Sequence, residues 1–92
     1  MSKYQIKHSG YRIRHLAELT GFSRHVLRKW EQRFNLLSPQ RGDNGYRVFD
    51  QTDLQILLFV RSKLADGSTI GQLAARGRAA LIAEMNSGAI DI

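Results

Sequence analysis

The apolar positions near the start of the chain repeat with the period of an α-helix. A short strand is expected first, over residues 11–13, and the helix is expected to take over at Arg14. Gly21 should end this helix, because glycine adopts the left-handed conformation at little cost. The side chains that define the period fall at i, i+3, i+4 and i+7 and so share one helix face: Ile13, Leu16, Ala17 and Thr20.

A second helix is predicted from Arg24 to Phe34, with Ser23 as its N-cap. At about 100° per residue its apolar side chains share one face, namely Val26, Leu27, Trp30 and Phe34. The opposite face is polar and mostly basic, with Arg33 at its edge: Arg24, His25, Arg28, Lys29 and Gln32. Glu31 is expected to be an ion-pair partner. Two helices joined by a glycine turn, the second with a basic outer face, form the pattern of a helix-turn-helix.

The stretch after the second helix predicts a short β-hairpin. Pro39 forbids continuation of the helix. Asn44 followed by Gly45 is a strong signal for a hairpin turn, and the residues after the turn are good strand formers. Arg41 and Arg47 flank the turn, so we expect the hairpin to form a wing with a basic tip.

The second half of the chain predicts a helical scaffold. Asp50 is the expected N-cap of a third helix over residues 51–65, which is apolar on more than one face and should therefore be central to the core. A fourth helix is predicted over residues 70–76. A short fifth helix is indicated by Leu81, Ile82 and Met85.

Together these elements predict one small, mainly α domain. The expected fold is a winged helix-turn-helix with a short β-hairpin wing and four to five helices. Its structured part should cover residues 11–85, between a flexible lead-in at 1–10 and a frayed tail at 86–92. A chain of 92 residues has room for one such domain.

The charge is concentrated in the predicted helix-turn-helix and wing. The net charge is +6; residues 1–50 hold ten basic and four acidic side chains, whereas residues 51–92 hold four of each. A basic surface on a neutral scaffold indicates an anionic partner. The chain has no cysteine, which excludes disulfides and thiolate metal sites. No apolar run reaches membrane-spanning length, so a cytoplasmic protein without membrane contact is expected.

Little in the sequence favours catalysis. No phosphate-binding glycine motif and no grouping of Ser, His and acid is evident. The spacing of the histidines matches no metal motif: His8, His15 and His25. We therefore expect no catalytic residue, no metal and no cofactor.

The basic face of the second helix is the strongest functional feature. A helix fits the major groove of B-DNA, where arginine can donate two hydrogen bonds to guanine and glutamine can pair with adenine. An ordinary solvated basic helix is the alternative. The wing favours DNA, because arginine on a projecting hairpin can enter a narrow minor groove or hold a phosphate. An acidic, DNA-mimicking protein is the second candidate partner. The predicted DNA-binding residues are Arg24, His25, Arg28, Lys29, Gln32, Arg33, Arg41, Asn44, Tyr46 and Arg47.

Three stretches of the chain resemble the DNA-binding domain of MerR-type regulators. They are YRIRHLAELTGFSRHVLRKWEQRFNLLSPQR, GYRVFDQTDLQIL and GSTIGQLAARG, and the resemblance extends over residues 11–81. It implies that two copies bind a near-palindromic double-stranded DNA operator, with the second helix in the major groove and the wing beside it. It also implies that Arg28 and Lys29 meet DNA from the helix, and Tyr46 and Arg47 from the wing.

The chain departs from the commonest family pattern at two positions. Lys29 and Trp30 stand where many members have two tyrosines. The Trp-Glu pair and the later IGQLA resemble the light- or cobalamin-responsive repressor subgroup, in which a cobalamin-binding domain follows the DNA-binding head. These 92 residues include neither such a domain nor the long coiled-coil helix by which most members dimerise. Two interpretations stay open: an excised head and a naturally minimal protein.

Overall fold

The computed structural model describes residues 10–41 and 45–90. The expectations for residues 1–9, for Asn44 and for residues 91–92 lie outside this part. The described chain confirms the mainly α, winged helix-turn-helix class. It forms five helices and one antiparallel hairpin, in the order α1 (Ile13–Thr20), α2 (Arg24–Phe34), β1 (Gln40–Arg41), β2 (Arg47–Val48), α3 (Gln51–Ala65), α4 (Ile70–Arg76) and α5 (Arg78–Ile90).

The turn between α1 and α2 is set by local backbone chemistry, as predicted. Gly21 ends α1 in the left-handed conformation, with a φ of 87°. The Ser23 hydroxyl then accepts a hydrogen bond of 3.1 Å from the Val26 N–H and so begins α2. Phe22, in the turn itself, packs edge-on against Trp30 with ring centroids 4.8 Å apart. The turn is therefore fixed to the core face of α2.

The wing is a short hairpin anchored to the start of α1. β1 and β2 pair with Arg41 opposite Arg47. Just after β2, the fully buried Phe49 exchanges two backbone hydrogen bonds with Tyr11, each 2.7 Å long. The approach is so close that a Cβ atom at Gly10 would lie 2.5 Å from the Phe49 carbonyl oxygen. Glycine is therefore the residue that this position accommodates.

The prediction of a strand over residues 11–13 is wrong in extent. Only Tyr11 forms a β-bridge, and the helix begins at Ile13 rather than at Arg14. Apolar and basic residues alternate over residues 11–14, and so short an alternation fits both a strand and the first turn of a helix.

α3 lies at the centre of the core. Its Asp50 cap is confirmed, since the carboxylate accepts from the Asp53 N–H at 3.0 Å. Burying a large aliphatic side chain contributes about 1.5–3 kcal/mol to stability. Each helix contributes at least one such fully buried side chain to a common cluster: Leu16, Leu27, Ile56, Leu57, Val60, Leu73 and Leu81.

A buried carboxylate links α5 to the segment that follows α2. Asp53 is 0% exposed. Its Oδ1 accepts from the Ser38 N–H at 3.0 Å and from Arg78 Nη1 at 2.6 Å, and its Oδ2 accepts from the Asp50 N–H at 3.2 Å. Arg78 Nη1 also donates to the Leu36 carbonyl at 2.9 Å. A buried charge is tolerated when it is paired and hydrogen-bonded in this way.

α5 is longer than the sequence predicts. It begins at Arg78 and continues to Ile90, whereas the expected helix ended near Met85. Asn86 and Ser87 have low helix propensity, but such residues cost only tenths of a kcal/mol, about 0.7 at most, and do not forbid a helix. Fraying of the tail in solution stays a prediction.

Candidate nucleic-acid interface

The basic face of α2 is exposed along the whole helix. The opposite face buries Leu27 and Trp30 and holds the helix against the core. A helix with its side chains is about 10–12 Å across, which suits the width of the DNA major groove. All six side chains of α2 that were predicted to bind DNA are exposed: Arg24, His25, Arg28, Lys29, Gln32 and Arg33.

A cleft of about 310 Å³ is formed by residues from α2, the start of α1 and the wing. We call it the arginine cleft. Ile13 and Tyr46 contribute to it. Among the described residues that line it none is acidic, so the cleft concentrates positive charge. Its six arginines are Arg12, Arg14, Arg24, Arg28, Arg41 and Arg47.

The arginine cleft unites two groups of predicted residues that are separate in the sequence. Arg24 and Arg28 come from α2, whereas Arg41, Tyr46 and Arg47 come from the wing. The other predicted α2 residues are exposed but do not line the cleft: His25, Lys29, Gln32 and Arg33. The surface therefore has two parts, a cleft and an adjoining helix face.

Sequence reasoning does not find Arg12 and Arg14, which complete the cleft from α1. Both are exposed. The bridge between Tyr11 and Phe49 is what brings the start of α1 to the wing. The sequence signal was the alternation of basic and apolar residues over 11–14. In a strand that alternation would put both arginines on one side of the chain, but it does not reveal what lies beside them.

Arg12 and Tyr46 form a cation–π stack. The Cζ atom of Arg12 lies 3.6 Å from the centroid of the Tyr46 ring. Tyr46 keeps 38% of its surface exposed. A guanidinium above a ring is attracted by the negative ring face, so the tip of the wing and the start of α1 hold each other at the cleft.

Both wing arginines are also held by the protein. Nε of Arg47 lies 3.1 Å from Oε2 of Glu31, which confirms Glu31 as an ion-pair partner. Nη1 of Arg41 donates to the Gly45 carbonyl at 2.6 Å. These contacts of exposed arginines add little to stability, about 0–1 kcal/mol for the ion pair. Their main effect is to orient the guanidinium groups before a ligand arrives.

Neither a metal-ligand cluster nor a membrane-spanning helix occurs in the part of the chain that the structure describes. No group of three or more His, Asp or Glu residues there could hold a metal ion. None of the helices in residues 10–41 and 45–90 is long and apolar enough to cross a membrane.

A winged helix-turn-helix with a basic second helix and an arginine-lined wing belongs to the class of DNA-binding regulatory modules. Within that class, the model of the MerR HTH family of regulatory proteins matches residues 11–76. The chain therefore belongs to the MerR family, and the resemblance carried by the three sequence stretches is confirmed.

Similar proteins are transcriptional regulators from several bacteria. The chain is 34% identical over 64 residues to the HTH-type transcriptional repressor CarH of Myxococcus xanthus. The matched region is 70% of this chain and 21% of CarH. It is 30% identical over 63 residues to the HTH-type transcriptional regulator MlrA of Escherichia coli strain K12, with coverage of 68% and 26%. It is 35% identical over 60 residues to the HTH-type transcriptional regulator YyaN of Bacillus subtilis strain 168, with coverage of 65% and 44%. The match thus spans less than half the length of each of these relatives.

Proposed function

We propose that this chain is the operator-binding head of a bacterial transcription regulator and binds double-stranded DNA sequence-specifically. The observation that carries the proposal is the arginine cleft, which joins the exposed face of α2 to the wing. In the proposed complex α2 enters the major groove, and the wing lies on the adjacent backbone or minor groove. Membership of the MerR family supports this arrangement.

Within this surface we assign base recognition mainly to α2 and backbone contact mainly to the wing. Arg24, His25 and Arg28 face bases or the phosphates beside them. Arginine can identify guanine through two hydrogen bonds. Arg41 and Arg47 are already oriented by the Gly45 carbonyl and by an ion pair, which suits contact with phosphates that are the same in every sequence. Further contacts are assigned to Lys29, Gln32, Arg33 and Asn44, and Tyr46 contributes to the same surface from the wing.

Two copies of the head are proposed to occupy one near-palindromic operator. This follows from the family resemblance, in which the regulators act as dimers. Helix-turn-helix dimers place their second helices in half-sites about 34–36 Å apart, or at multiples of that distance. The second copy is therefore expected beside the first on the same face of the duplex.

Duplex DNA is the ligand that the comparisons favour. Neither the family nor the named relatives support an acidic protein partner, and we do not propose one. One relative is named a repressor and two are named regulators. We propose that the whole protein regulates transcription in the cytoplasm and that this module binds DNA without catalysing a reaction.

The test begins with selection of duplexes from a random pool by the 92-residue chain. Affinity for the selected duplex is then compared with affinity for a scrambled duplex of the same length and composition, by fluorescence anisotropy. Because each mismatched base pair costs about 1–3 kcal/mol, the scrambled duplex should bind at least about tenfold more weakly. Equal binding to both duplexes would contradict sequence-specific recognition. Binding to neither would contradict the function itself.

A further inference from the structure

Tyr46 carries the guanidinium of Arg12 on its ring, at 3.6 Å. We infer that Tyr46 is a positioning residue, whose ring holds Arg12 in the arginine cleft so that Arg12, beside Arg14, binds a phosphodiester of the DNA backbone. The inference rests on the proposed function. It adds a third element, the start of α1, to the surface formed by α2 and the wing.

The backbone of Arg12 is fixed where α1 begins. Arg12 is the N-cap of α1, with a φ of −93° and a ψ of 163°. Its N–H donates to Nδ1 of His15 at 3.2 Å, and its carbonyl accepts from the N–H groups of His15 and Leu16 at 2.9 and 3.2 Å. An arginine side chain has several rotatable bonds, and ordering it costs entropy. The backbone contacts fix one end of the Arg12 side chain, and the Tyr46 ring fixes the guanidinium at the other end.

Stacking leaves the hydrogen-bonding edge of Arg12 available. The ring covers the flat face of the guanidinium, whereas the N–H donors lie in the guanidinium plane. None of the carboxylates in the described part of the chain pairs with Arg12. The edge can therefore bind two oxygens of one phosphate in the bidentate geometry that arginine favours.

The surroundings of Arg12 favour a phosphate that belongs to a duplex. Arg12 shares the cleft with five other arginines and, among the described lining residues, with no acidic side chain. The cleft is continuous with the exposed face of α2, because Arg24 and Arg28 belong to both. When α2 occupies the major groove, a backbone phosphate at the edge of that groove reaches the start of α1. A small free anion would use the same donors without engaging α2.

The test uses the whole chain, the selected duplex and single variants. Arg12→Ala should weaken binding about five- to tenfold. It should also reduce the magnitude of the slope of log K against log salt concentration by about 1, as expected for one lost phosphate contact. Tyr46→Phe keeps the ring and should bind within about twofold of the original protein, whereas Tyr46→Leu should lose about two- to fivefold. Arg76→Ala is the matched control, because Arg76 is an exposed arginine that does not line the cleft.

A double variant separates positioning from independent contact. If the ring acts through Arg12, the double variant Arg12→Ala/Tyr46→Leu binds no more weakly than Arg12→Ala alone. Losses that multiply would overturn the inference. So would a loss in Tyr46→Phe as large as in Tyr46→Leu, because the hydroxyl would then be the group that touches DNA.

The stack is also measurable without DNA. The ring current of Tyr46 should move the Arg12 Nε–H resonance upfield in the original protein and in Tyr46→Phe, but not in Tyr46→Leu. Dispersed amide spectra show that each variant is folded. An Arg12 resonance that is the same in all three proteins would overturn the stack.

The outcomes distinguish the inference from the proposed function. A chain that binds no duplex overturns both. A chain that binds duplex, with Arg12→Ala no weaker than Arg76→Ala, overturns the inference alone. Titration with inorganic phosphate at constant ionic strength is the last arm. Saturable binding of phosphate that is tighter than binding of the duplex would assign the cleft to a free anion instead of the DNA backbone.

Discussion

Nη1 of Arg78 lies 2.6 Å from Oδ1 of the fully buried Asp53. The same nitrogen donates to the carbonyl of Leu36, in the segment after α2, and only 23% of the Arg78 side chain is exposed. The guanidinium thus joins the start of α5 to the start of α3 and to the end of the helix-turn-helix. Through it the neutral half of the chain supports the position of the basic surface.

Arg78→Ala should destabilise the fold strongly. The variant leaves the Asp53 carboxylate buried with only the backbone N–H groups of Ser38 and Asp50 as donors. Removing one partner of a buried ion pair costs about 3–5 kcal/mol. Urea-induced unfolding followed by circular dichroism measures the change in the free energy of unfolding.

Arg76→Ala is the control for this prediction. Arg76 pairs with Glu84 at the surface, and its side chain is 43% exposed. Pairs of that kind contribute about 0–1 kcal/mol, so the control should unfold at nearly the original urea concentration. Equal losses in the two variants would contradict the special role of the Asp53 pair.

Three helix ends were predictable because each depends on residues that are close in sequence: the end of α1 and the starts of α2 and α3. Gly21, Ser23 and Asp50 take the capping roles that their own chemistry favours. The end of α5 was not predictable in this way, because Asn86 and Ser87 weaken a helix without stopping it.

The polar contacts between distant segments could not be predicted from the sequence. Asp53 has the pattern of an ordinary acidic residue in the first turn of a helix, and Arg78 that of a surface cation. Only the fold brings them together, across 25 residues. The same is true of Arg12 and Tyr46. The candidate site was therefore found on α2 and the wing, where a local pattern marks it, and missed on α1.

The affinity for duplex DNA should be mainly electrostatic. Each neutralised phosphate contributes about −0.9 to the slope of log K against log salt concentration, so about four to six contacts per head give a slope of roughly −4 to −5. The arginine cleft and the α2 face offer enough cations for that number of contacts. Titrations between about 50 and 200 mM salt give the slope. A slope near zero would contradict this view of the surface.

Arg28→Ala and Arg47→Ala should weaken binding in different ways. Arg28 lies on the exposed face of α2. If it makes a bidentate base contact, its loss costs about 1–3 kcal/mol and relaxes the preference at one position of the operator. Arg47, oriented by Glu31, is assigned to the backbone, so its loss should weaken the selected and scrambled duplexes alike. Repeating the duplex selection with each variant checks this assignment. A changed preference in Arg47→Ala with none in Arg28→Ala would reverse it.

The 92-residue chain should be largely monomeric in the absence of DNA. α5 has 13 residues, whereas a stable coiled coil needs about three or four heptads. The apolar side chains of α3 do not offer an alternative interface, because Ile56 and Val60 are 0% exposed and Phe59 is half-buried against the core. Sedimentation equilibrium at micromolar concentration should show one species of monomer mass. Joining two heads through a flexible linker should then raise the affinity for a two-half-site operator by roughly a hundredfold or more, because the second head is held at high effective concentration. A tight dimer without DNA would contradict the prediction and would point to α3, where Phe59 is only partly buried, as the interface.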